Sequence, residues 1–173
     1  AAGFDASANT EATAIAGIDD ATGGDALIGG SGDDLLIGNA GNDTLSGNLG
    51  DDWLNGGTGD DTLDGGADFD MASYHDATTA ITVDLRQQGV SQTISAEQGD
   101  DTLIGIEGVE GSYGADILIG DAVANELLGL EGADTLEGGL GADYLMGDEY
   151  GFGSEYSDTF RYTTAGDSTE AQT

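Results

Sequence analysis

Aspartate returns to the same place in a nine-residue cycle: Asp25, Asp34, Asp43, Asp52, Asp61 and Asp70, then Asp101, Asp116, Asp134, Asp143 and Asp158, with Asn125 at one step. Carboxylate oxygens are hard donors, and a fold that stacks them in columns sets them against each other unless a cation lies between. Ca²⁺ suits such a site, because it accepts six to eight oxygens, about 2.3 to 2.6 Å away, in flexible geometry. Mg²⁺ demands tighter octahedral placement. Zn²⁺ prefers nitrogen and sulfur ligands, and this chain has one histidine and no cysteine.

The elements that position these acids are nine-residue units: GGSGDDLLI (29–37), GNAGNDTLS (38–46), GNLGDDWLN (47–55) and GGTGDDTLD (56–64). A worn copy, DATGGDALI, precedes them from Asp20, and GGADFDMAS follows from Gly65. The register returns as AEQGDDTLI (96–104), GSYGADILI (111–119), GDAVANELL (120–128), GLEGADTLE (129–137) and GGLGADYLM (138–146), and a last unit starts at Gly153. Such self-similarity marks a stacked repeat architecture.

Each unit has two halves with different demands. Glycine at positions one, two and four permits positive φ in a tight turn. The residues after the aspartate form a short strand whose eighth-position side chain, usually leucine, faces inward. Two units make a coil of 18 residues, and coils stack about 4.7 to 4.9 Å apart through parallel-strand hydrogen bonds. Asp25 then stacks on Asp43, Asp34 on Asp52, Asp43 on Asp61, Asp52 on Asp70, Asp116 on Asp134 and Asn125 on Asp143. Asp101 stacks on Asp116 if GIEGVE (105–110) supplies the intervening half-coil.

The chain carries 35 acidic residues against two basic ones, for a formal charge of −33. Nucleic acid and anionic membranes are poor partners for such a charge, and no nucleic acid is expected. With an apolar share of 38% and no cysteine, neither a large core nor disulfides can hold it, which leaves metal ions as the staple. Without a cation the composition reads as disordered. No stretch is long enough for a membrane-spanning helix, and residues 1–24 do not form a Sec-type signal peptide. The absence of an initiating methionine and the polar end at Thr173 read as a fragment of a larger protein.

GGSGDDLLI, GGTGDDTLD and GGLGADYLM resemble the GGxGxDxUx nonapeptide of the RTX (repeats-in-toxin) hemolysin-type family, and the likeness runs over about 20–161. The resemblance implies an all-β, right-handed parallel β-roll with roughly six to eight Ca²⁺. Their ligands are the aspartates above, with Asn125, and backbone carbonyls of the turns. The carbonyls are those of Gly23, Gly29, Ser31, Gly32, Gly38, Ala40, Gly41, Gly47, Leu49, Gly50, Gly56, Thr58, Gly129, Glu131, Gly132, Gly138 and Gly141. It also implies export through a type I secretion system and folding outside the cell, or at its surface, where calcium is plentiful. Asp68, Val123 and Tyr156 replace the fourth-position glycine, and Gly147 to Phe152 is an insertion, which weakens the expectation of calcium in the turns at 65, 120 and 153.

His75, with Asp76 and Ser73 nearby, lacks the oriented partners and oxyanion site of a triad, so the chain reads as a non-enzyme. Leu35, Trp53 and Met71 occupy outward positions on one sheet. They are expected to be covered by the second roll or by Tyr74, Ile81, Val83 and Leu85; the alternatives are a docking surface or a carbohydrate platform.

The expected division is an N-terminal flank (1–19), a first roll (20–73), a linking segment (74–95), a second roll with a closing strand (96–161) and a tail (162–173). The expected function is a secreted calcium-binding module that folds on Ca²⁺ and stabilises an attached catalytic or adhesive domain; the alternative is a polysaccharide- or surface-binding module.

Overall fold

The computed structural model describes residues 3–5, 14–16, 23–148, 157–161 and 169–170. In chain order the strands are β1 (Gly3–Asp5), β2 (Ala14–Ala16), β3 (Ala26–Ser31), β4 (Leu35–Ile37), β5 (Thr44–Leu49), β6 (Trp53–Asn55), β7 (Thr62–Ala67), β8 (Met71–Ser73) and β9 (Thr82–Asp84). After a 3-10 turn at Leu85–Gln87 come β10 (Gln92–Ser95), β11 (Gly99–Ile104), β12 (Gly108–Glu110), β13 (Ile117–Ile119), β14 (Glu126–Leu128), β15 (Thr135–Glu137), β16 (Tyr144–Met146), β17 (Thr159–Arg161) and β18 (Thr169–Glu170). Most are three residues long, because each unit must turn again after placing one side chain inside. The result is an all-β parallel roll, as the nine-residue period predicts.

The chain forms two compact units, one of Ala1–Ser73 with Gln87–Ile106, the other of Tyr74–Arg86 with Glu107–Thr173. In the first, β1, β3, β5, β7 and β11 lie side by side in parallel, and β2, β4, β6 and β8 form a second parallel set. The eighth-position residues Leu27, Leu45, Leu63 and Leu103 of one set, and Leu36, Leu54 and Ala72 of the other, are fully buried. β10 runs antiparallel along the outer edge of β11.

In the second unit β9, β13, β15 and β17 are parallel neighbours, as are β12, β14, β16 and β18. Val83, Leu118 and Leu136 pair in register and are buried, and so do Val109, Leu127 and Leu145.

The segment expected to link the rolls is instead shared between them. The alternation Ile81-Thr-Val-Asp-Leu85 buries Ile81, Val83 and Leu85 in the second unit and adds β9 beside β13. Residues from 87 onward return to the first unit, where β11 pairs with β7. That pairing overturns the stacking expected for Asp101: its Oδ1 accepts the Asp61 amide at 2.9 Å, forty residues away in sequence. GIEGVE supplies β12 of the second unit and does not bridge Asp101 to Asp116. Tyr74, Ile81, Val83 and Leu85 are buried residues of the second unit, whereas in the first unit Trp53 and Leu35 stay 40% exposed and Met71 is 3% exposed.

Candidate metal centre

The turns are shaped by residues that accept positive φ. In seven of them both the second and the fourth residue are left-handed: Gly30 with Gly32, Asn39 with Gly41, Asn48 with Gly50, Gly57 with Gly59, Gly66 with Asp68, Leu130 with Gly132 and Gly139 with Gly141. Glycine and asparagine take this conformation at low cost. Asp68 takes it too, at φ 84, so the loss of glycine there leaves the turn intact.

These turns aim the sixth-position carboxylates inward, and neighbouring coils tie them together. The Asp25 amide donates to Asp43 Oδ1 at 2.6 Å, Asp34 to Asp52 at 2.7 Å, Asp43 to Asp61 at 2.7 Å and Asp52 to Asp70 at 2.9 Å. In the second unit Asp116 donates to Asp134 at 2.8 Å and Asn125 to Asp143 at 3.0 Å. The six columns expected at a spacing of 18 residues are present, and Asp101 joins Asp61 instead of Asp116.

One oxygen of each carboxylate is thus engaged. The other, Oδ2 of Asp34, Asp43, Asp52, Asp61, Asp70, Asp134 and Asp143, is buried and accepts no hydrogen bond. These seven acids belong to the seven turns with two left-handed residues. Burying a carboxylate oxygen without a donor is costly. Burial pushes Asp52 and Asp61 up to about 6 and Asp134 to about 7, against the pull of the Asp34, Asp43 and Asp116 amides. The neighbouring carboxylates of each column push in the same upward direction.

Oδ2 faces the first glycine of its own turn and, in several turns, a carbonyl of the next coil. A Cβ added at Gly47 would collide with Asp52 Oδ2 and lie 2.6 Å from the Gly65 carbonyl; one at Gly29 would collide with Asp34 Oδ2 and lie 2.9 Å from the Gly47 carbonyl. The turn therefore encloses a cradle of carboxylate and carbonyl oxygen that only glycine leaves open. No three His, Cys, Asp or Glu side chains cluster as a metal site among the described residues. A cation here would rest on few carboxylates and many backbone carbonyls, a donor set that fits Ca²⁺.

Other expected ligands stand differently. Asp116 and Asn125 have their oxygens filled by protein donors: Asp116 accepts Ile81 N at 2.8 Å, Ser112 Oγ at 2.8 Å and Ser112 N at 2.6 Å, and Asn125 Oδ1 accepts Asp121 N at 2.8 Å. Asp25 and Asp101 are buried in the first unit. Asp158 accepts the Asp134 amide at 3.0 Å across 24 residues, the coil length plus the six-residue insertion. A Cβ at Gly147 would collide with Asp158 Oδ2, so Gly147 takes the turn-opening place expected for Gly153, which lies outside the described residues.

A second ladder was not expected. The fifth-position side chains of Asp33, Asn42, Asp51 and Asp60 accept the amides of Asp51, Asp60, Phe69 and Asp100 at 3.0 to 3.2 Å. Here the later coil donates to the earlier, the reverse of the sixth-position ladder. The paired acids at 33–34, 51–52, 60–61 and 100–101 carried this signal in the sequence. His75 lies apart from the turns, 3.8 Å from Glu110.

No curated protein matches the chain. Residues 19–54, 38–72 and 110–145, over half of its length, match the RTX calcium-binding nonapeptide repeat (4 copies). With its parallel roll and its cradles of carboxylate and carbonyl oxygen, the chain belongs to that family of calcium-binding repeats.

Proposed function

We propose that calcium in this module is held by the carboxylates of Asp34, Asp43, Asp52, Asp61, Asp70, Asp134 and Asp143 together with carbonyls of their turns, and that its binding drives folding. The observation that carries this reading is the buried Oδ2 of Asp52, Asp61 and Asp134, which no protein donor satisfies. The cradle exists only when coils are stacked, so binding energy is folding energy. Bound calcium also offsets the formal charge of −33.

The biological setting that fits is export of an unfolded chain through a type I secretion system, followed by folding outside the cell or at its surface, where the module stabilises an attached catalytic or adhesive domain. The module itself performs no catalysis. Among the described residues no helix is long and apolar enough to cross a membrane.

Circular dichroism during a calcium titration tests the proposal. Strand signal should appear cooperatively near 10⁻⁴ to 10⁻³ M, about the range of extracellular modules, and Asp43→Ala and Asp52→Ala should shift the midpoint upward. Strands that persist in excess EGTA at neutral pH defeat it.

A second reading rests on Trp53 and Leu35, exposed side by side in register on β6 and β4. They form a small flat apolar platform of the kind a polysaccharide stacks on. Binding on a glycan array in calcium, abolished by Trp53→Ala, would support it.

A further inference from the structure

The turns at 111–116 and 120–125 are built unlike the seven turns with two left-handed residues, and the difference bears on where calcium goes. In the seven turns with an unsatisfied Oδ2, the second and fourth residues both have positive φ. Ser112 and Gly114 in one exceptional turn, and Asp121 and Val123 in the other, do not. Gly114 is free to be left-handed and is not, so the change belongs to the turn as a whole.

Reversing the sign of φ at the second residue goes with turning over the peptide that precedes it, the same difference that separates type I from type II turns. In one orientation the first residue's carbonyl points into the turn; in the other, the second residue's N–H does. The hydrogen bonds show the second orientation here. Ser112 N donates to Asp116 Oδ2 and Asp121 N to Asn125 Oδ1.

The remaining capacity of both side chains is also filled. Ser112 Oγ and Ile81 N donate to Asp116 Oδ1, and Asn125 Nδ2 donates to the Glu107 carbonyl at 3.0 Å. Ser112 Oγ also accepts the Gly114 amide at 3.0 Å, and Asp121 Oδ1 accepts Val123 N at 2.9 Å, so each turn is braced by its own second residue. A cation entering either turn would meet inward N–H groups and would have to displace bonds already made.

We infer that the turns 111–116 and 120–125 take no calcium: amide and hydroxyl donors of the protein stand where the other turns require an ion. Calcium in the second unit then enters at the turns of Asp134 and Asp143. This rests on the calcium reading above and narrows it, since Asp116 and Asn125 occupy the sixth position of the repeat yet are closed to the metal.

Calcium counting by native mass spectrometry on the full chain tests the inference, with circular dichroism reporting strand content in saturating calcium. Asp134→Asn should lower the number of bound ions by at least one, and Asp116→Asn should leave it unchanged. A count that falls by one in a folded Asp116→Asn variant overturns the assignment. Should that variant not fold, anomalous diffraction from wild-type crystals grown in calcium decides. Peaks at Asp52, Asp61 and Asp134 with none at Asp116 or Asn125 support the inference, and a peak ligated by Asp116 Oδ2 or Asn125 Oδ1 overturns it. If Asp134→Asn loses no ion and no turn shows a peak, the calcium-ligand reading itself is what fails.

Discussion

The amide of Asp34 donates to Oδ1 of Asp52 at 2.7 Å, eighteen residues along the chain and one coil away in space. A carboxylate that serves as backbone acceptor through one oxygen leaves the other facing the turn. The same side chain therefore sets the register of the stack and, in the proposed site, supplies the metal donor.

Replacing Asp52 by Asn separates these two duties. Its Oδ1 can still accept the Asp34 amide, while the charge is lost. The calcium midpoint, followed by circular dichroism, is expected to rise about tenfold, near 1.4 kcal/mol, with strand content restored at saturation. An unchanged midpoint would remove Asp52 from the ligand set.

Acidity should act in opposite directions with and without metal. Burial raises Asp52 and Asp61 to about 6 and Asp134 to about 7 in the folded chain, above the ordinary carboxylate value of about 4. A raised carboxylate pKa means that the fold binds protons more tightly than the unfolded chain. Its contribution is fully present below about pH 4 and is lost as pH rises through 6 to 7. In EGTA, strand content should therefore grow as pH falls through that window. In calcium, protons compete with the ion, and the midpoint should move to higher concentration over the same interval. Circular dichroism along both series checks the two signs.

Gly47→Ala should disable a turn without touching a carboxylate. The new Cβ would intrude on Asp52 Oδ2 and on the Gly65 carbonyl at 2.6 Å. Loss of at least one ion in native mass spectrometry is expected, together with a lower Tm in saturating calcium. Leu54→Ala, in the buried row of β6, should destabilise by about 2 to 5 kcal/mol and leave the ion count as it was.

The outward ladder should matter less. Asp51→Ala removes the acceptor of the Phe69 amide, an exposed bond of 3.0 Å. A cost of about 0.5 to 1.5 kcal/mol in calcium-saturated unfolding is expected, with no ion lost.

Much of this was legible in the sequence because one period governs both halves of each unit. Leucine at position eight and aspartate at position six gave the buried rows and the stacking register correctly from Asp25 to Asp70. The return of Asp101 to Asp61 was not legible, since nothing in residues 74–95 repeats and the partner lies forty residues away. The turn at 111 was equally hidden. GSYGAD looks like its neighbours, yet Ser112 stays out of the left-handed region that Leu130 enters at φ 69 in the same place. Its hydroxyl donates to Asp116 Oδ1, a bond that depends on the fold around it.

The reversed direction of β10 also has a consequence for how far the first stack can extend. A parallel row of short identical rungs is a template for its own continuation, and an uncovered last rung would invite the matching strand of another molecule, then another, into a fibre. Gln92, Thr93 and Ser95 close that rung with polar side chains and an irregular step in register between Thr93 and Ser95. At that edge the chain's own fold sets an antiparallel, irregular strand where another identical rung would otherwise follow.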